Sequence, residues 1–192
     1  NKTIKQANTI TYNPVIYELS KENKELIPKT IKHIFIISDR RERIETLRKI
    51  AKAVNSAKTM IFINTKYDLE ESLQKLQYHN YNVAALAGNI DKQSKKKAVE
   101  DFQNGRLQYL LATDVAARGL QIDHVSTVIN VNLPEEPTEY LHRAGRCGRN
   151  NEQGLCISII TENELNKIKK YQKAFNINIV QKRLYNGKIV SK

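Results

Sequence analysis

The sequence predicts an α/β fold: a three-layer α/β/α sandwich in which helices cover both faces of a mostly parallel sheet. Three observations predict it. Short apolar runs of strand type alternate with segments of helical periodicity along most of the chain. Side chains that cap helices stand where several of those segments begin. Strand followed by helix, repeated, implies right-handed crossovers and strands buried on both faces.

Residues 1–30 carry little periodicity, are punctuated by Pro14 and Pro28, and read as an extended interdomain lead-in to one domain over 31–192. His33-Ile34-Phe35-Ile36-Ile37 is the first strand. Ser38 or Asp39 caps a helix whose apolar positions Ile44, Leu47, Ile50, Ala51 and Val54 keep helical spacing. Met60 to Ile63 is the second strand, and Thr65 with Asp68 gives a capping-box-like start to a helix turning Leu69, Leu73 and Leu76 inward. Val83 to Ala87 forms the third strand. The helix from Asp91 to about Gln103 turns Ala98, Val99 and Phe102 inward and stops at Asn104-Gly105. Tyr109 to Thr113, Val125 to Val131 and Leu155 to Ile160 are strands four to six. Thr161 to Glu164 is a capping box opening a helix that buries Leu165, Ile168, Tyr171 and Phe175. From Asn176 the pattern is weaker, strand or extended.

Composition narrows the function. At 192 residues with 40% hydrophobic side chains, the chain suits one globular domain with a sizeable core. No apolar run approaches the roughly 18–20 residues of a spanning helix, so no membrane partner is expected. Two cysteines, Cys147 and Cys156, are too few for a disulfide framework, and no Cys/His cluster has zinc spacing, so no metal site is expected. Two free thiols point to a reducing cytoplasm. The polar start without Met suggests a piece of something longer. A net charge of +12, from 32 basic and 20 acidic residues, favours a polyanion such as nucleic acid, although a Lys- and Asn-rich genome produces the same excess.

The stretch Tyr140-Leu141-His142-Arg143-Ala144-Gly145-Arg146-Cys147-Gly148-Arg149 is unusual. Pro137 starts a helix well, and continued to Arg149 that helix would stack three arginines on one broad face. Stacked like charges oppose a helix by roughly 0.2–0.5 kcal/mol per pair, and each helical glycine costs about 1 kcal/mol. The stretch makes sense where guanidinium forks meet an anion and glycines let backbone come close to it. A solvated basic face is the alternative.

Other unusual residues gather at the carboxyl ends of the strands, where ligands bind in such sheets. They are Asn64-Thr65, Gly88-Asn89 with Gln93 and Lys96, Ala112 to Leu120, and Asn130 to Pro134. Together these segments resemble the motifs of DEAD-box RNA helicases, in the second, C-terminal RecA-like domain. Ala112-Thr113-Asp114-Val115-Ala116-Ala117-Arg118-Gly119 resembles motif V and His142 to Arg149 motif VI. Ile61 to Thr65 looks like motif IV, and Gln93-Ser94-Lys95-Lys96 like the Gln-x-x-Arg element.

The resemblance implies a P-loop NTPase-type domain without its own P-loop, working as half of a bipartite site. Arg146 and Arg149 would be arginine fingers to the ATP phosphates, the catalytic contribution of this half, with Gly119 and Gln121 also at the nucleotide. Thr65, Gly88, Gln93, Lys96 and Thr113 would hold RNA phosphates, which position a strand without reading its bases. His142 and Arg143 would brace the motif or meet the partner domain. Asp114 and Arg118 either bridge motifs V and VI or pair locally. Thr113 also suits a helix cap, and Lys95 to Lys97 a solvated face. Tyr140 reads as packing.

Departures and absences complete the expectation. Gln121 stands where the family has Asp on the ATP ribose, and Lys96 where it has Arg, keeping charge but losing the fork. Ala87 and Asn89 replace common His and Asp, and Cys147 a frequent Thr. No Gly-x-x-x-x-Gly-Lys-Ser/Thr and no Asp-Glu-Ala-Asp occurs. ATP with Mg2+ would therefore be bound mainly by a first RecA-like domain, and this chain alone should neither hydrolyse ATP nor unwind RNA. The expected partners are that domain and single-stranded or locally duplex RNA. Arg146 and Arg149 should be exposed and idle within the chain. The alternatives are half of another superfamily 2 helicase, acting on DNA or of DEAH type, and a nucleic-acid-binding module with a degenerate nucleotide site.

Overall fold

A computed structural model of the chain describes residues 27–87, 90–120, 122, 124–148 and 152–191. In it the apolar runs become strands β1 (Ile31–Ile37), β2 (Thr59–Phe62), β3 (Val83–Leu86), β4 (Tyr109–Ala112), β5 (Thr127–Asn130) and β6 (Gly154–Ile160). The periodic segments become helices α1 (Arg43–Val54), α2 (Lys66–Tyr78), α3 (Lys92–Gln103), α4 (Asp114–Ala117), α5 (Pro137–Ala144) and α6 (Leu165–Phe175). The weakly patterned tail folds as a hairpin, β7 (Ile179–Tyr185) and β8 (Lys188–Ser191), whose Asn186 and Gly187 take the positive φ its turn requires.

Eight strands among the described residues form one sheet in the order β3-β4-β2-β5-β6-β1-β7-β8. All pairs are parallel except β7 with β8. Successive side chains on a strand point to opposite faces, and the core divides accordingly. Met60, Phe62, Leu110, Ala112, Val128 and Cys156 join one cluster, with Phe102, Tyr140, Ile168 and Tyr171 from α3, α5 and α6. Ile61, Leu111, Ile129 and Ile157 join the other, with Leu47 and Ile50 from α1 and Leu69 and Leu76 from α2. The three-layer sandwich is thus observed.

Helix starts follow the capping residues. Thr65 Oγ1 accepts from Asp68 N at 3.1 Å, Asp91 Oδ1 from Gln93 N and Ser94 N at 2.9 Å, and Thr113 Oγ1 from Ala116 N at 3.3 Å. The capping box at Thr161 and Glu164 opens a 3₁₀ turn, Glu162–Glu164, that leads into α6. Asp39 begins a similar turn, Arg40–Glu42, before α1, without a side-chain cap bond.

One expectation fails instructively. The helix from Pro137 does not continue to Arg149; α5 ends at Ala144. Gly145 N closes the last turn on Leu141 O, and tight turns from Arg146 N to Arg143 O and Cys147 N to Ala144 O follow. Cys147 is then drawn into a parallel bridge with Val125. Gly148 has φ +67°, and a Cβ there would lie 2.5 Å from Ile31 Cγ1, so only glycine fits. Arg143 and Arg146 therefore do not share a helical face. The lead-in over residues 1–26 lies outside the described residues, as do Gly88, Gln121 and Arg149.

Candidate functional site

The carboxyl ends of β2, β4 and β5 stand side by side in the sheet, which brings their loops together. Thr65, exposed, caps α2 just beyond β2. Thr113, half-buried, caps α4 just beyond β4. Gln93 and Lys96 lie exposed in the first turns of α3, with Lys96 loosely paired to Glu100 at 3.6 Å. Hydrogen bonds from Ser94 hold the Asp91 carboxyl at that helix start below its ordinary pKa.

Arg143 is the centre of this end of the sheet. Its side chain is 1% exposed, and it enters between the loops from the last turn of α5. Nε and Nη2 form a fork on Asp114 at 2.7 and 2.5 Å. Nη1 donates to Asn132 O at 2.7 Å and to Asn130 Oδ1 at 3.3 Å, and Nη2 donates also to Asn64 Oδ1 at 2.9 Å. The guanidinium lies 5.0 Å from the Phe62 ring centroid. All five N–H donors of the side chain thus meet an acceptor. Asn64 is itself held, its backbone N donating to Asn132 Oδ1 at 3.1 Å. One side chain of α5 joins the loops after β2, β4 and β5.

A cleft of about 250 Å³ opens beside this clamp, lined by Asp114, Arg118, Gly119, Glu139, His142 and Arg146 among others. His142 is exposed. Arg118 pairs with Glu139 of α5 at 3.3 Å, and does not engage Asp114, which belongs to Arg143. Arg146 is half-buried and donates from Nη1 to Leu120 O at 2.7 Å, so it is not idle in the chain as the sequence suggested. That bond places its guanidinium along the cleft, where Gly119, at φ +72°, turns the loop. Cations and backbone N–H groups suit phosphate oxygens. Among the described residues no group of three or more His, Cys, Asp or Glu is placed to hold a metal ion.

Sequence reasoning placed Asn64, Asn130 and Asn132 at strand ends without giving them work. The signal was there: Asn130 closes a strand otherwise made of Thr, Val and Ile, and it is fully buried. A buried amide needs partners, and Asn130 finds them in Ser158 Oγ, to which it donates at 3.3 Å, and in Arg143 Nη1, from which it accepts at 3.3 Å. Phe62 and the Leu120 carbonyl carry no such mark.

The profile of the helicase conserved C-terminal domain family matches residues 42–151. The chain belongs to that family. The helicase domain also resembles DEAD-box proteins along nearly its whole length. It is 32% identical over 185 residues to the DEAD-box ATP-dependent RNA helicase CshC of Bacillus cereus, covering 96% of the chain and 46% of CshC. Saccharomyces cerevisiae Dbp5 bound to RNA and ADP BeF3 superposes with a TM-score of 0.81 at 28% identity, over 95% of this chain and 49% of that one. The isolated C-terminal domain of Dbp5 superposes with a TM-score of 0.76 at 29% identity, over 80% and 91%. The helicase domain here thus spans about half of CshC and of the RNA-bound Dbp5. It is a RecA-like C-terminal domain of the DEAD-box type, as the motifs suggested. No helix among the described residues is long and apolar enough to cross a membrane.

Proposed function

We propose that this chain is the arginine-donating half of an ATP-dependent RNA helicase that separates short RNA duplexes in the cytoplasm. The observation that carries the reading is the Arg143 clamp. It fixes the Thr65 and Thr113 loops to the segment that presents Arg146, so a change at one is felt at the other. ATP with Mg2+, held mainly by a first RecA-like domain, supplies the phosphoryl chemistry.

The roles of this chain's residues follow from their types. Arg146 and Arg149 place fixed positive charge where negative charge accumulates as the terminal phosphate departs, worth on the order of 10³–10⁵ in rate in comparable enzymes. Gly119 and Gln121 line the nucleotide side. Thr65, Gly88, Gln93, Lys96 and Thr113 grip RNA phosphates through hydroxyl, backbone, amide and ammonium donors, without reading bases. Asp114 and Arg143 hold these two sets in register, with Arg118 and His142 bracing the cleft edge. Closure of the two domains around nucleotide and RNA admits a single strand and excludes its complement; reopening releases it.

Joining this chain to the first helicase domain of CshC tests the reading. ATP hydrolysis stimulated by RNA is expected in the joined protein, and none in the chain alone. Arg146→Ala should lower kcat by at least about 10³-fold while RNA binding persists. An Arg146→Ala protein with full RNA-stimulated hydrolysis refutes the finger assignment.

A further inference from the structure

Most of the chain's excess charge sits where none of the helicase motifs lie. Between Leu165 and Lys192 there are eight Lys or Arg residues and no Asp or Glu, two thirds of the net +12. Part of this run folds against α1. A groove of about 570 Å³ between α1 and the β7–β8 hairpin is lined by Arg48, Lys49, Lys52, Arg183 and Tyr185, with no acidic residue among its described lining. Arg48 is neutralised by Glu45 at 2.5 Å. Lys49 and Lys52 are exposed, and no salt bridge among the described residues engages either of them or Arg183. Uncompensated like charges facing one groove oppose folding and favour a bound anion.

The groove also carries an aromatic platform. Tyr185 is 58% exposed, and the Arg183 guanidinium lies 5.5 Å from its centroid. An open tyrosine face backed by a cation is the arrangement on which nucleobases stack, and an acidic peptide has no use for it. Position agrees. β7 runs parallel to β1 with Ile36 opposite Lys182, so the hairpin turn extends past the carboxyl end of the sheet, the end that bears Thr65 and Thr113. Three strands separate β7 from β2, about 19 Å at the usual strand spacing.

We propose that this groove is a second RNA site, separate from the helicase motifs, which takes the single strand flanking the segment held at Thr65 and Thr113. The proposal rests on the RNA-binding reading above. It gives the domain a sequence-independent grip on flanking RNA, made of phosphate contacts to Lys49, Lys52 and Arg183 and one base stacked on Tyr185.

Fluorescence anisotropy with labelled oligouridines of about 6 and about 20 nucleotides tests it on this chain. The longer RNA should bind more tightly. Lys49→Ala/Lys52→Ala/Arg183→Ala should abolish that length advantage and flatten the slope of log K against log salt by about 2, from three phosphate contacts at about 0.7 each. Tyr185→Ala should weaken the longer RNA at least about fivefold with the salt slope unchanged. Lys169→Ala/Lys170→Ala/Lys173→Ala, three exposed charges removed from α6, should leave the slope near wild type. Equal losses in the two triple variants, a groove variant that binds like wild type, polyglutamate bound as tightly as RNA, or no RNA binding at all overturns the proposal. The RNA-stimulated hydrolysis of the joined protein reads the helicase function independently, so a failed groove leaves that function standing.

Discussion

Replacing Arg143 tests the clamp most directly. Its side chain is 1% exposed, and it serves five acceptors. Not all of them suffer equally when it goes. Asn64 is exposed, and the Asp114 side chain is 26% exposed, so water can replace part of what they lose. Asn130 is fully buried, and half-buried Asn132 accepts through its carbonyl at 2.7 Å. Stranding a buried acceptor costs about 1–3 kcal/mol, and removing one member of a buried ion pair costs about 3–5 kcal/mol. These overlap, so Arg143→Ala should destabilise the chain by about 3–5 kcal/mol. Arg143→Lys keeps the charge but offers three donors and no fork, and should cost about 2 kcal/mol. Urea unfolding followed by circular dichroism measures both. In an Asp114→Asn background the Arg143→Ala penalty should shrink by more than about 1 kcal/mol, because the two side chains share one interaction. An Arg143→Lys chain within about 0.5 kcal/mol of wild type, or additive penalties in the double variant, refutes the reasoning.

Two further outcomes are expected. Burial pushes the His33 ring down to about 4 from 6.5, so its contribution is complete above pH 6.5 and is lost as pH falls towards 4. That is about 2 kcal/mol between pH 7 and about pH 5, and a His33→Gln chain measured by thermal melts should lack this share of the acid sensitivity. Gly148→Ala meets a left-handed backbone and a contact of 2.5 Å to Ile31 Cγ1, and should cost about 2–4 kcal/mol in urea unfolding; a Gly148→Ala chain as stable as wild type contradicts the geometry.

The fold was legible because its signals are local. Strand runs such as Met60 to Phe62 and Tyr109 to Ala112 are buried on both faces and read as continuous apolar stretches, while Thr65 and Asp91 announce their helices. Two features were not legible for the opposite reason. The end of α5 at Ala144 is set by Cys147 reaching Val125 and by Gly148 packing on Ile31, partners more than 20 residues away. In the β7–β8 hairpin the apolar residues stand in adjacent pairs, Ile179-Val180, Leu184-Tyr185 and Ile189-Val190, instead of alternating, so its strand periodicity is weak until β1 supplies a neighbour. At the site, residue types suggested where phosphate contacts belong, but the partner of each arginine depended on side-chain direction. Arg118 turned to Glu139 and left Asp114 to Arg143.

The three arginines at spacing three looked equivalent in sequence because a helix would make them so. Ending the helix between the first and second makes them different. Arg143, in the last turn of α5, is carried inward and spends every donor on protein. Arg146, past Gly145, is carried along the cleft, where it donates to the Leu120 carbonyl. That bond holds the guanidinium along the cleft. Had the segment stayed helical, Arg146 would have followed Arg143 along one stripe, and the two would have competed for Asp114. The glycines that oppose a helix here are therefore what separates a structural arginine from one set along the cleft.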